Sequence, residues 1–189
     1  MEVYLIRHTT PQVAKGIAYG QTDLDVIETF DQEAQQIRAL LPEAHQEEMY
    51  CFASPLQRCA KLAQHLFKPS QITFEPKLKE ANYGDWEMKP WNDIDHQALN
   101  RWMSDFAKER IPNGETYEEV FERAVQVWEH IHQLPHEKVA LVTHFGIIQS
   151  LLAHLLHIPL DKTFRIHLDY GCVIQVSVNL PMLKVRFLK

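Results

Sequence analysis

Residues 139–157, VALVTHFGIIQSLLAHLLH, decide the fold class. Val139 to Val142 is a short, nearly unbroken apolar run, the pattern of a strand covered on both faces in a parallel sheet. A helical pattern, Gly146 to His157, follows it directly. The same kind of run recurs at Val3 to Ile6 and at Met49 to Ala53. Helical patterns follow these too, at Gln32 to Leu41 after a loop and at Pro55 to Phe67 directly. The alternation predicts an α/β fold, a three-layer α/β/α sandwich around a mostly parallel sheet. The longest helix is predicted from about Tyr117 to Leu134. Thr116-Tyr117-Glu118-Glu119 forms a capping box there, and Val120, Phe121, Ala124, Val127, Trp128 and Ile131 recur at helical spacing. Val173 to Val178 and Met182 to Leu188, separated by Asn179-Leu180-Pro181, read as a hairpin or edge pair closing the sheet.

Composition bounds the rest. The 189 residues are 46% hydrophobic and 23% charged, with 6 Gly and 10 Pro, which predicts one domain over residues 1–189 and excludes disorder, collagen and a disulfide miniprotein. Against 25 Asp and Glu there are 19 Lys and Arg, so the net charge of -6 offers no global positive field for nucleic acid or a membrane surface. Any anion site must be local. Cys51, Cys59 and Cys172 form no CxxC pair and are odd in number, which suits reduced thiols in the cytoplasm. Glu2, Arg7 and His8 come too early for a signal sequence, and no apolar run approaches the roughly 18 residues of a spanning helix. A soluble cytoplasmic protein with a small-molecule partner is expected; its oligomeric state is not legible.

In open α/β sheets ligands bind beyond the carboxyl ends of the strands. Here those ends are Arg7-His8, Ser54-Pro55-Leu56-Gln57-Arg58 and Thr143-His144-Phe145-Gly146. Two arginines and two histidines therefore converge. Ser54 reads as an N-cap with Pro55 at the first helical position, placing Arg58 about one turn into a helix, and Gly146 opens another helix whose free N–H groups can face an anion. Guanidinium forks and helix N-termini together make a phosphate pocket. His130, His132 and His136 do not share a helix face at metal-ligand spacing, so no metal and no cofactor are expected.

With LIRHTTP at 5–11, YGQTD at 19–23, SPLQRC at 54–59, LKEANYGDWE at 78–87, NGETYEEVFERAV at 113–125 and VTHFG at 142–146, the chain resembles the histidine phosphatase superfamily, the phosphoglycerate mutase-like fold, over nearly its whole length. The resemblance implies that His8 is the nucleophile, that Arg7 and Arg58 bind the phosphoryl group, that His144 stabilises it, and that Glu80 is the acid/base. By position it adds Thr10, Gly20 and Phe145 to the phosphate-binding set. The implied chemistry is coherent: a neutral imidazole attacks phosphorus, arginines spread counter-charge over the equatorial oxygens, and one carboxyl group protonates the leaving alkoxide and then activates water. Departures from the pattern are specific. Thr9 and Thr10 replace the usual Gly-Glu, the phosphate-binding Asn falls near the apolar Val13 and Ala14 with Lys15 or Thr10 as substitutes, and Phe145 replaces a glycine.

RHTTP and YGQTD resemble the alpha-ribazole phosphatases within the family, which implies alpha-ribazole 5'-phosphate, of cobalamin nucleotide-loop assembly, as substrate. The other readings are a broad-specificity sugar-phosphate or nucleotide phosphatase, a protein phosphohistidine phosphatase, and a phosphoglycerate mutase, disfavoured by the short chain. From other classes come a non-catalytic phospholigand-binding module, which would not need His8, His144 and Glu80 together, and a metal-dependent hydrolase. Trp86, Trp91 and Trp102 read as satellite core rather than pocket wall.

Overall fold

The structure, a computed structural model, describes residues 1–42, 48–179 and 182–189. Six strands form one sheet in the order β3-β2-β4-β1-β5-β6. They are β1 (Glu2–Arg7), β2 (Tyr50–Ala53), β3 (Ile72–Phe74), β4 (Lys138–Thr143), β5 (Val173–Asn179) and β6 (Met182–Phe187). The first four are mutually parallel, and β5 and β6 run antiparallel at one side. The helices are α1 (Phe30–Leu40), α2 (Gln57–Leu66), α3 (His96–Ser104), α4 (Tyr117–His132) and α5 (Phe145–Leu156). The predicted terminal hairpin pairs as expected, although Leu180 and Pro181 of its connection lie outside the described residues.

The period of two along each strand builds two cores. Val3 and Leu5 of β1, with Val139 and Leu141 of β4, face α4 and α5, while Tyr4 and Ile6, with Ala140 and Val142, face α1 and α2. Both faces of these strands are thus covered, which is why they read as continuous apolar runs rather than alternating ones. A third, smaller cluster lies off the sheet, where Trp86 packs with Ala18, Ile94 and Ile111. No helix among the described residues is long and apolar enough to cross a membrane.

Register brings the functional ends together. Arg7 of β1 pairs with Thr143 of β4, and Ala53 of β2 pairs with Val142. Beyond the strands, His8 N donates to Thr143 O at 3.0 Å and Ser54 N to Val142 O at 2.9 Å, so the three carboxyl ends stop level with one another. On the other side of β1, Arg7 N donates to Cys172 O and Gly171 N to His8 O, both at 3.0 Å, which brings the loop before β5 to the same rim.

Candidate active site

His8 and His144 sit at the level ends of β1 and β4, both buried, with ring centroids 5.1 Å apart and the rings edge to face. His8 Nδ1 lies 2.6 Å from Thr9 O. A carbonyl oxygen only accepts, so Nδ1 carries the proton and the lone pair of the neutral ring is on Nε2. Burial, then the Arg58 and Arg7 guanidiniums, hold the His8 imidazolium form well below its ordinary range. His144 is lowered in the same way, by burial first, then by Arg58 and His8. Both rings are therefore neutral near pH 7. His144 Nε2 lies 2.8 Å from Ser54 Oγ and 3.4 Å from Cys59 Sγ.

Arg58 is fully buried, a placement that demands partners on every side. Its two terminal nitrogens donate to Thr22 O at 2.9 Å and Gly20 O at 2.6 Å. Those carbonyls are fixed in turn by Glu87, whose carboxylate accepts from the N–H groups of Gly20, Gln21 and Thr22 at 2.9, 2.8 and 3.2 Å. Burial opposes the Glu87 charge, yet the hydrogen bonds from Thr22, Gly20, Gln21 and Tyr83 win and hold its carboxyl below the usual range. A Cβ on Gly20 would stand 2.0 Å from Ala81 O, so the loop reaches this position only with glycine there. Arg7 is placed differently. Its guanidinium lies over the Tyr170 ring at 4.1 Å and the Phe145 ring at 5.0 Å, and it donates to Leu168 O. The Nε groups of both arginines are buried without a hydrogen-bond partner, donors that an oxyanion satisfies.

Glu80, 8% exposed, seats its carboxylate on the first turn of α5. Gly146 N donates to both its oxygens at 3.1 and 3.2 Å, and Ala81 N to one of them at 2.9 Å. A Cβ on Gly146 would stand 2.5 Å from Glu80 Oε1, so glycine is what admits the carboxylate. Arg123 braces the chain that carries it. Its guanidinium holds Glu115 at 2.9 and 3.0 Å and also donates to Glu80 O at 2.9 Å and Lys77 O at 2.6 Å, while Thr143 Oγ1 donates to Leu78 O at 2.7 Å.

Several expectations change. Ser54 does not cap α2; the helix starts at Gln57 behind Leu56, so Arg58 is its second residue, and the Ser54 hydroxyl turns to His144. The Gly146 N–H serves Glu80 rather than facing the pocket. Thr10 donates through both N–H and hydroxyl to Glu33 at 2.9 and 3.1 Å, Lys15 is exposed, and Gly20 and Phe145 bear on the site through Arg58 and Arg7. Trp86 is core, and Trp91 and Trp102 pack against its cluster as expected while also lining the cavities around Glu80. Glu115 and Arg123, both within the NGETYEEVFERAV stretch, form an ion pair that is part of the brace. Tyr19 and Glu87 lie in the quoted motifs with no role assigned, and Tyr170 lies outside them, because each acts across a long stretch of chain; the Tyr19 and Tyr170 hydroxyls bond to each other. Among the described residues, no three His, Cys, Asp or Glu side chains are grouped to hold a metal ion.

The family model described as the histidine phosphatase superfamily (branch 1) matches residues 3–185. The adenosylcobalamin/alpha-ribazole phosphatase of Escherichia coli K12 is 25% identical over 195 residues, covering 100% of this chain and 95% of that protein. The alpha-ribazole phosphatase structure from Shigella flexneri superposes with a TM-score of 0.86 at 23% identity, covering 99% of this chain and 95% of the other. A mycobacterial glucosyl-3-phosphoglycerate phosphatase superposes with a TM-score of 0.79 at 20% identity, covering 98% and 96%.

Proposed function

We propose that this chain, which belongs to the histidine phosphatase superfamily, branch 1, hydrolyses phosphomonoesters through a phosphohistidine formed on His8. The observation that carries the reading is the His8 ring: neutral, pinned by Nδ1 to Thr9 O, and left with an Nε2 lone pair under the charge of the buried Arg58 and the half-buried Arg7 guanidiniums. In the first step Nε2 attacks phosphorus, the bond to the ester oxygen breaks, and Glu80 gives that oxygen a proton. In the second, Glu80 takes a proton from water, whose oxygen displaces His8 Nε2 and releases inorganic phosphate. Arg7, Arg58 and His144 stabilise the phosphoryl group as its charge shifts toward the bridging atoms. Gly20 acts through Arg58 and Phe145 through Arg7. Thr10, committed to Glu33, has no part in the scheme.

The substrate we propose is alpha-ribazole 5'-phosphate. A relative named for that activity, similar over the full length, supports it, as do RHTTP and YGQTD. Phosphate release from a panel of alpha-ribazole 5'-phosphate, sugar phosphates, nucleoside monophosphates and 3-phosphoglycerate, with and without chelator, tests the reading. The expected result is a kcat/KM for alpha-ribazole 5'-phosphate about tenfold or more above the rest and unchanged by chelation. Equal rates across the panel replace it with a broad-specificity phosphatase, and a chelator-sensitive rate removes the arginine-based mechanism.

A further inference from the structure

We infer that the groove walled by Trp91, Leu99, Trp102, Met103, Phe106 and Phe164 binds the alcohol half of the substrate, and that this alcohol carries a flat apolar ring. The inference rests on the phosphatase reading, which fixes where the leaving oxygen must point. Glu80 protonates that oxygen, so the alcohol leaves on the Glu80 side. The groove, about 560 Å³, opens there. It shares Tyr83 and Trp91 with the cavity of about 280 Å³ that holds Arg7, Glu80 and Phe145. It also shares Tyr83, Trp102 and Phe164 with the cavity over Glu80 and Gly146.

Its chemistry selects the ring. Among the described residues, no charged side chain lines it, and the polar side-chain groups on its walls belong to Tyr83 and the two indoles. A polyhydroxy alcohol placed there would lose water from its hydroxyls and gain few partners. An aromatic ring would meet flat faces held in order by their neighbours: Trp91 and Trp102 lie 27° from parallel at 6.3 Å, Phe106 and Phe164 at 4.2 Å, and Trp102 and Phe164 at 6.0 Å. Leu99, Trp102 and Met103 lie three and four residues apart on α3, so one helix face supplies half the wall. Met103 is 64% and Phe164 44% exposed, apolar surface at a catalytic mouth that a bound ring covers, whereas Trp86 nearby does the core's work at 4%.

The test compares 2-phenylethyl phosphate with glycerol 3-phosphate, both primary alkyl monoesters, so the phosphoryl chemistry is matched and only the alcohol differs. Expected is a kcat/KM at least thirtyfold higher for the phenylethyl ester, and a ratio cut at least tenfold in a Met103→Ser, Phe164→Ser double variant. Both side chains are substantially exposed, and an unchanged Tm confirms the fold. A wild-type ratio near one, or a ratio the double variant leaves intact, overturns the inference. So does a dimer that dissociates in the variant while the ratio holds, which assigns the groove to a second copy. If neither ester is hydrolysed, the phosphatase reading stands or falls by phosphate release from alpha-ribazole 5'-phosphate, and the groove is judged by 2-phenylethanol binding: saturable tryptophan quenching, weakened at least tenfold in the variant, upholds it, and its absence overturns it.

Discussion

Replacing both buried imidazoles with a side chain that does not titrate should make the protein less sensitive to acid. His8 is 1% and His144 0% exposed, and in the fold both are held neutral well below their ordinary range. In the unfolded chain each protonates near pH 6.5. Between the folded and the unfolded value the unfolded state binds more protons, so stability rises with pH and is lost as pH falls through that window. From pH 7.5 to 5.5 the pair together removes about 3 kcal/mol, half from each ring. Urea denaturation of wild type and of the His8→Gln, His144→Gln variant at the two pH values isolates this quantity, since every other titrating group is common to both proteins. The wild type should lose about 3 kcal/mol more than the variant over the interval, and each single variant should recover about half. A double variant with the wild-type pH dependence would refute the neutral, desolvated pair.

Four further outcomes follow from the geometry. Arg58→Ala should lower kcat/KM by about 10²–10³-fold for every phosphomonoester, because the guanidinium acts on the phosphoryl oxygens; a loss confined to one substrate in steady-state assays would move Arg58 to the alcohol. Glu80→Gln should slow alkyl phosphates far more than aryl phosphates, whose phenolates leave without a proton. Gly146→Ala, which puts a Cβ into Glu80 Oε1, should reproduce that selectivity in the same assay, and equal slowing of both ester types would contradict the acid role. Arg123→Ala should cost about 3 kcal/mol of unfolding free energy by urea titration, since it strands Glu115, 21% exposed, and leaves backbone carbonyls without their donor.

The sheet was legible where burial was two-sided. Val3 to Ile6 and Val139 to Val142 show their strands because every residue in them meets core on one face or the other. β3 was not, since Ile72–Phe74 is three residues long, partly exposed, and set between Pro69 and Pro76. α3 was hidden for a different reason: its apolar residues face a groove instead of the main core, so they look like scattered aromatics in an irregular stretch. At the site, residues fixed by strand ends could be read from sequence, because His8, Arg58 and His144 stand at or just beyond a strand or at the start of a helix. Residues whose partners are remote could not. Glu87 organises the 20–22 loop across more than sixty positions, and Tyr170 reaches Arg7 only because β5 returns beside β1. The Ser54 reading failed on backbone: Leu56 is extended and α2 starts only at Gln57, so the Ser54 hydroxyl, which still accepts from Leu56 N at 3.3 Å, stands ahead of the helix and meets the His144 imidazole at 2.8 Å.

The central claim is covalent chemistry at His8, and trapping the intermediate tests it most directly. Wild-type protein mixed with a phosphorus-32-labelled monoester and quenched in base within one turnover should carry label that is stable to alkali, labile to acid, and confined by peptide mapping to the segment bearing His8. Glu80→Gln with an aryl substrate should accumulate more of it. Label on another residue, or a catalytically active enzyme that never carries label within the turnover time, would contradict the account.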